Sequence, residues 1–138
     1  MTEKIPKRLQ QEVRERAGLM CEYCLIHEED SFLPHEVDHV IAVKHGGSSS
    51  IDNLAWSCFV CNRHKGSDLS SIDPVTGKLV RLFNPRSDPW IEHFNLDSNG
   101  GIVPKSDVAR VTEFLLKLNT PEQIEIRKLL FNFRKRPK

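Results

Sequence analysis

The sequence predicts an α+β fold. Strand-like and helix-like runs alternate along the chain, clusters of Gly, Pro, Asn and Ser punctuate them, and around the cysteines the order is strand, loop, strand, helix. Length and composition agree, since 138 residues with 38% hydrophobic and 28% charged side chains are ordinary globular values with room for one modest domain. No repeat, low-complexity stretch or long linker interrupts the chain. We therefore expect one unit over 1–138, with a cysteine-bearing core over 19–69 and a C-terminal extension over 70–138 packed on it.

Each element has a local reason. Pro6 to about Ala17 predicts a helix, with Pro suited to the first turn and Gly18 to the stop. Cys21-Glu22-Tyr23-Cys24 makes a tight turn, and 25–35 is irregular. Glu36–Val43 alternates enough for a strand, His45-Gly46-Gly47-Ser48-Ser49-Ser50 is loop composition, and Leu54–Ser57 suits a short return strand. A helix is expected from about Phe59 to Leu69, its end blurred by Gly66. In the extension, Asp73-Pro74-Val75-Thr76-Gly77 is turn chemistry, with Leu79–Phe83 and Trp90–Phe94 as short strands and Asn99-Gly100-Gly101 as another turn. Ser106 caps a helix with Val108, Val111, Leu115 and Leu118 on one face, and Thr120-Pro121-Glu122-Gln123 opens the last helix.

Several classes are disfavoured at once. There is no run of eighteen apolar residues to span a membrane, and the opening MTEKIPKRLQ lacks the apolar stretch of a secretory signal, so a cytoplasmic protein is expected. In that reducing setting four cysteines point to metal rather than disulfides. Net charge is only +1, but it is unevenly spread, with 8 Lys/Arg against 11 Asp/Glu over 1–69 and 12 against 8 over 70–138. Arg127, Lys128, Arg134, Lys135, Arg136 and Lys138 end the chain without an acidic neighbour, as a solvated tail or a non-specific phosphate grip.

The pairs Cys21/Cys24 and Cys58/Cys61 are both CxxC, separated by 33 residues. Each tight turn can offer two sulfurs to one tetrahedral ion, and zinc with four thiolates is a closed, structural shell. Redox-active pairs are the alternative, but neither pair sits in a thioredoxin-like βαβ pattern.

Between the pairs stand Asp38-His39, Gly46-Gly47 and Asp52-Asn53-Leu54, and directly after them Asn62-Arg63-His64-Lys65-Gly66. An acid beside a histidine suits phosphodiester cleavage. A carboxylate favours a hard divalent cation, an imidazole can take a proton from water near neutral pH, and the amide oxygen of Asn62 can be a further ligand.

The string CxxC, VDHV, GG, DNL, CxxCNxxK over 21 to about 66 resembles the four-cysteine branch of the HNH nuclease family. The gaps of 14 from His39 to Asn53 and 9 from Asn53 to Asn62 also resemble the nuclease domain of CRISPR effectors. The third letter of the family name is His in some members and Asn in others, and Asn62 stands there. The resemblance implies a ββα-metal (His-Me finger) core in which His39 is the general base, Asp38 and Asn62 hold one Mg2+ or other divalent ion, and Asn53 holds the catalytic loop by bonding backbone. It also implies DNA as partner, with RNA open beside it, and 5′-phosphate and 3′-hydroxyl ends.

Lys65 is expected to contact phosphate, because the family pattern carries a basic residue there, and His64 is a second candidate substrate contact. His35 and Arg63 are expected to face solvent, and Trp56 and Phe59 to be core. Arg14 and Arg16 suit either a surface helix or a DNA contact. The segments 73–77, 82–86 and 90–94 resemble the tail of small stand-alone bacterial HNH proteins. The competing reading is a catalytically silent zinc module that binds nucleic acid or protein; intact Asp38, His39, Asn53 and Asn62 argue against it. Oligomeric state and sequence specificity are not readable.

Overall fold

A computed structural model describes residues 5–133. The described residues hold five α-helices and three two-stranded antiparallel sheets. Helix α1 spans Lys7–Arg16 behind Pro6, and Gly18 takes φ +64 just beyond it, the left-handed stop that a residue without a Cβ reaches freely. Strand β1 (Glu36–His39) pairs with β2 (Leu54–Ser57) in the register Val37↔Trp56 and Asp38↔Ala55. Helix α2 follows over Phe59–Lys65.

The period of two along a strand assigns the faces of this hairpin. Val37, Leu54 and Trp56 join Ile5, Leu9 and Val13 of the α1 side in one apolar cluster. Asp38 lies on the other face, toward α2, where Lys65 reaches it. Arg14 forks onto Glu28 at 2.7–3.0 Å, and Arg16 donates to the carbonyls of Ile51 and Leu54. Both arginines thus tie α1 to the core, which favours the structural of their two readings. Trp56 is core as expected.

The expected strand Glu36–Val43 stops at His39. Its continuation has no strand partner because the Asn53 side chain takes both the N–H and the carbonyl of Ile41, which turns the chain. The strand expected over Trp90–Phe94 is instead helix α3 (Trp90–His93), preceded by β3 (Ser70–Ile72) and β4 (Leu79–Arg81). Pro89 opens that turn, and one turn brings the rings of Trp90 and Phe94 into a stack 5.0 Å apart while the indole donates to Tyr23 O at 3.0 Å. Aromatic content suggested a strand; burying both rings on one side required a helical turn.

Strands β5 (Phe94–Leu96) and β6 (Ile102–Pro104) make the last hairpin. Helix α4 (Asp107–Leu116) begins where Ser106 Oγ accepts from Ala109 N at 3.0 Å, the expected cap. Val108, Val111, Leu116 and Leu118 are buried, with Leu115 only partly so. At the start of α5 (Pro121–Phe133), Thr120 Oγ1 accepts from Gln123 N and donates to the Gln123 side chain. The larger apolar cluster joins all four cysteines and Tyr23 to Phe83, Phe94, Val108 and Leu116. Residues from both sides of position 70 thus share that cluster. Asp73 is buried in the extension, and the Arg110 fork holds its carboxyl well below the usual carboxylate range.

Candidate functional site

Four cysteines from two elements converge. Cys21 and Cys24 lie in the turn after α1; Cys58 caps α2 and Cys61 is in its first turn. All four are buried and free of disulfides, and their sulfurs lie within 4.8 Å of one another. Cys24 and Cys58 sulfurs are 3.6 Å apart. Zinc–thiolate bonds of about 2.3 Å in a tetrahedron put sulfurs about 3.8 Å apart, so the group fits a metal ion of that kind. Backbone N–H groups of Tyr23, Cys24 and Cys61 point at the Cys21 and Cys58 sulfurs at 3.3–3.4 Å, donors that favour thiolates.

Beside this cluster, a cavity of about 510 Å³ is lined by Asp38, His39, Lys44, Asn62, Gly66 and Ser67, among others. Three of the four residues singled out for chemistry therefore share one hollow. Asp38, 4% exposed, accepts from Tyr23 Oη at 2.7 Å and from Lys65 Nζ at 3.2 Å. Burial pushes its carboxyl above the ordinary range, and Lys65 and Tyr23 pull it back. Burial, with the adjacent Asp38 charge, pushes the Tyr23 hydroxyl well up, so it remains a donor. Asn62 donates its Nδ2 to Glu36 Oε1 at 2.9 Å, which leaves the amide oxygen outside that bond. His39 Nε2 lies 2.9 Å from Ser49 Oγ.

Asn53 stands behind the cavity as a clamp. Its Oδ1 accepts from Ile41 N at 2.9 Å, and its Nδ2 donates to Ile41 O at 2.9 Å and Ser48 O at 2.8 Å. This closes the loop that carries Ser49 to His39. The two glycines serve the same closure. Gly46 takes φ +90, and a Cβ on Gly47 would lie 1.7 Å from Ile41 O and 2.8 Å from Asn53 Nδ2. Gly47→Ala is therefore expected to displace the clamp. The thermal midpoint should fall, read by circular dichroism, because a Cβ 1.7 Å from a backbone oxygen forces the chain to move.

The arrangement corrects three expectations. Lys65 is 2% exposed, with its ammonium on Asp38 and His39 O, so it braces the acid from inside and is not a surface phosphate contact. His64 Nδ1 meets Leu116 O at 3.1 Å and faces α4, away from the cavity. His35 is buried, with Nε2 2.9 Å from Ile26 O, rather than facing solvent. Arg63 is exposed as expected, 4.6 Å over the Phe59 ring. Of the basic tail, Arg127 is buried, Lys128 is exposed, and Arg134, Lys135, Arg136 and Lys138 lie outside the described residues.

Residues 21–68 match the family model described as HNH endonuclease. This segment is an HNH domain. Neither a curated protein nor a solved structure matches the chain. The limits of the HNH match enclose both cysteine pairs, the β1–β2 hairpin and α2, so the hollow and the cysteine cluster belong to one segment. Sequence reasoning missed Tyr23, Glu36, Lys44 and Ser49. For Tyr23, its place inside the first CxxC turn of the HNH segment was the available signal; Ser49 looked like loop filler.

Proposed function

We propose that the chain is a metal-dependent endonuclease that hydrolyses phosphodiester bonds in DNA, with a structural zinc on Cys21, Cys24, Cys58 and Cys61. The observation that carries this reading is the single cavity lined by Asp38, His39 and Asn62 inside an HNH segment. Both candidate ligands present oxygen, the donor type that a hard ion such as Mg2+ takes, and each Asp38 oxygen keeps a lone pair beyond its one hydrogen bond. When bound there, a divalent cation supplies Lewis-acid neutralisation of charge on the phosphate and on the leaving 3′ oxygen.

The chain's own residues do the rest. In the tautomer that carries its proton on Nε2, His39 donates to Ser49 Oγ, and Nδ1 keeps its lone pair to take a proton from the attacking water. Asn53 keeps that ring in place through the loop, and Glu36 keeps the Asn62 amide turned so that its oxygen is available. Lys65 and Tyr23 hold the Asp38 carboxylate. Free thiols suit a reducing, cytoplasmic setting.

Lys44, exposed at the cavity edge, is the residue we assign to a phosphate contact in place of Lys65. Lys44→Ala is expected to weaken DNA binding evenly across sequences and to lower the slope of log affinity against log salt by about 1; an unchanged slope removes Lys44 from the interface.

The test of the function is nicking of supercoiled plasmid with Mg2+, Mn2+ or Ni2+. Cleavage that needs an added divalent ion and yields 5′-phosphate ends is the expected result. No cleavage of duplex, single-stranded or branched DNA with any of these ions would leave only a metal-stapled binding module.

A further inference from the structure

Arg127 is 2% exposed, yet its hydrogen bonds all go to uncharged oxygens: Gly100 O at 2.7 Å, Leu118 O at 2.6 Å, Asn119 Oδ1 at 3.0 Å and Cys24 O at 3.4 Å. Among the described residues no carboxylate forms an ion pair with it. A guanidinium stays charged, and a buried charge without a counter-charge costs several kcal/mol. Its Nη1 donates to Cys24 O at 3.4 Å, inside the first CxxC turn, which sets the guanidinium beside the four-cysteine cluster as a source of negative charge. Burial pulls the guanidinium down from its ordinary value, and all four cysteines act the other way. A tetrathiolate zinc carries a net charge of about −2, which is itself costly to bury beside Tyr23, Phe83 and Phe94.

Each buried charge thus solves the other's problem. We propose that Arg127 is the counter-cation of the four-cysteine centre, and that through it helix α5, more than a hundred residues away in sequence from Cys24, sets how tightly the metal is held. The inference rests on the reading of that centre as a zinc site. It explains why α5 crosses the turn at Gly100, where a Cβ would meet Ile124 O at 2.3 Å and Lys128 N at 2.7 Å: the close approach brings Arg127 down to the knuckle. It also means that the last helix of the extension completes the metal centre of the HNH segment, although the family match ends at residue 68.

The experiment measures the free zinc concentration at which the full-length chain is half folded, by far-UV circular dichroism in chelator-buffered zinc. The wild-type arm comes first; a chain that binds no zinc overturns both the zinc reading and this inference. Arg127→Met keeps the stem and removes the charge, and is expected to raise the midpoint about 10–100-fold, the range for loss of a group supporting metal ligands. Arg127→Lys keeps the charge and loses the fork, and is expected to stay much nearer wild type. Asn119→Ala removes hydrogen bonds to Arg127 and to both backbone groups of Ile102 with the charge intact, and is expected to raise the midpoint less than Arg127→Met does. If Arg127→Met matches wild type, the proposal is wrong. If Met and Lys variants shift equally, or both stay unfolded at saturating zinc, Arg127 acts by packing and hydrogen bonding alone, and the proposal is overturned. A Met variant that never folds beside a Lys variant that folds normally supports the charge.

Discussion

Removal of zinc from the four-cysteine centre is expected to unfold the chain. A structural zinc site in a small domain contributes about 10–16 kcal/mol, and the whole stability of a domain is about 5–15 kcal/mol. Here the four cysteines are also members of the main apolar cluster, so a metal held by them and the core would be lost together: Cys21, Cys24, Cys58 and Cys61 pack with Tyr23, Ile26, Phe83, Phe94 and Leu116. Without an ion, four sulfurs within 4.8 Å of one another repel when ionised and fill the space poorly when protonated. The loss should spread to the catalytic hollow, because Tyr23, between two ligands, holds Asp38, and Asn62 follows Cys61 directly. Treatment with a strong chelator should abolish the helical circular-dichroism signal, and one equivalent of Zn2+ should restore it. A chain that keeps its helical signal with zinc demonstrably absent would refute this account. Under the proposed function EDTA would take the catalytic ion as well as zinc, so a cleavage assay stopped with EDTA must include a zinc determination before its result is assigned to either metal.

The second large effect is at His39. Replacing it by Ala is expected to lower the cleavage rate by about 10²–10⁴-fold, the usual contribution of a positioned general base, with zinc content and thermal midpoint close to wild type. The reason for the separation lies in the surroundings of the ring. Its side chain is half-buried at the end of β1, its hydrogen-bond partner is a loop hydroxyl, and the bond that secures the strand end to α2 is donated by Lys65 to the His39 backbone carbonyl. Truncating the imidazole therefore leaves Asp38 braced by Lys65 and Tyr23. Metal binding in the cavity should survive for the same reason, and Mn2+ binding followed by paramagnetic relaxation would check it. Wild-type cleavage by His39→Ala would remove the general-base assignment, whereas loss of folding would mean that the ring has a packing role that its exposure does not reveal.

Both of these sites stood out in the sequence. The cysteine spacing points to a metal because a CxxC turn presents two sulfurs whatever surrounds it, and the string around His39 was read through the family resemblance; that Asp38, His39 and Asn62 line one hollow is what the structure adds. The clamp by Asn53 was legible only through the family resemblance, which implied that it bonds backbone; that the backbone groups are those of Ile41 and Ser48 came from the structure. The roles of Lys65, His64 and Arg127 were not legible. Each is a polar residue that by composition belongs on a surface, and each is turned inward by a partner remote in sequence: Asp38 for Lys65, Leu116 for His64, Cys24 for Arg127.

From the sequence alone came the α+β class, the order strand, loop, strand, helix, the four-cysteine cluster and three of the residues that line the hollow, Asp38, His39 and Asn62. Local propensity, turn chemistry and ligand spacing act over a few residues, and they survive without knowledge of what packs against them. Only the tertiary structure decided that Trp90 begins a helical turn, that Lys65 braces an acid instead of meeting solvent, and that Arg127 of the last helix is buried against the first cysteine turn. Those outcomes depend on which distant groups share a low-dielectric interior, where an unpaired charge costs more than local preference can repay.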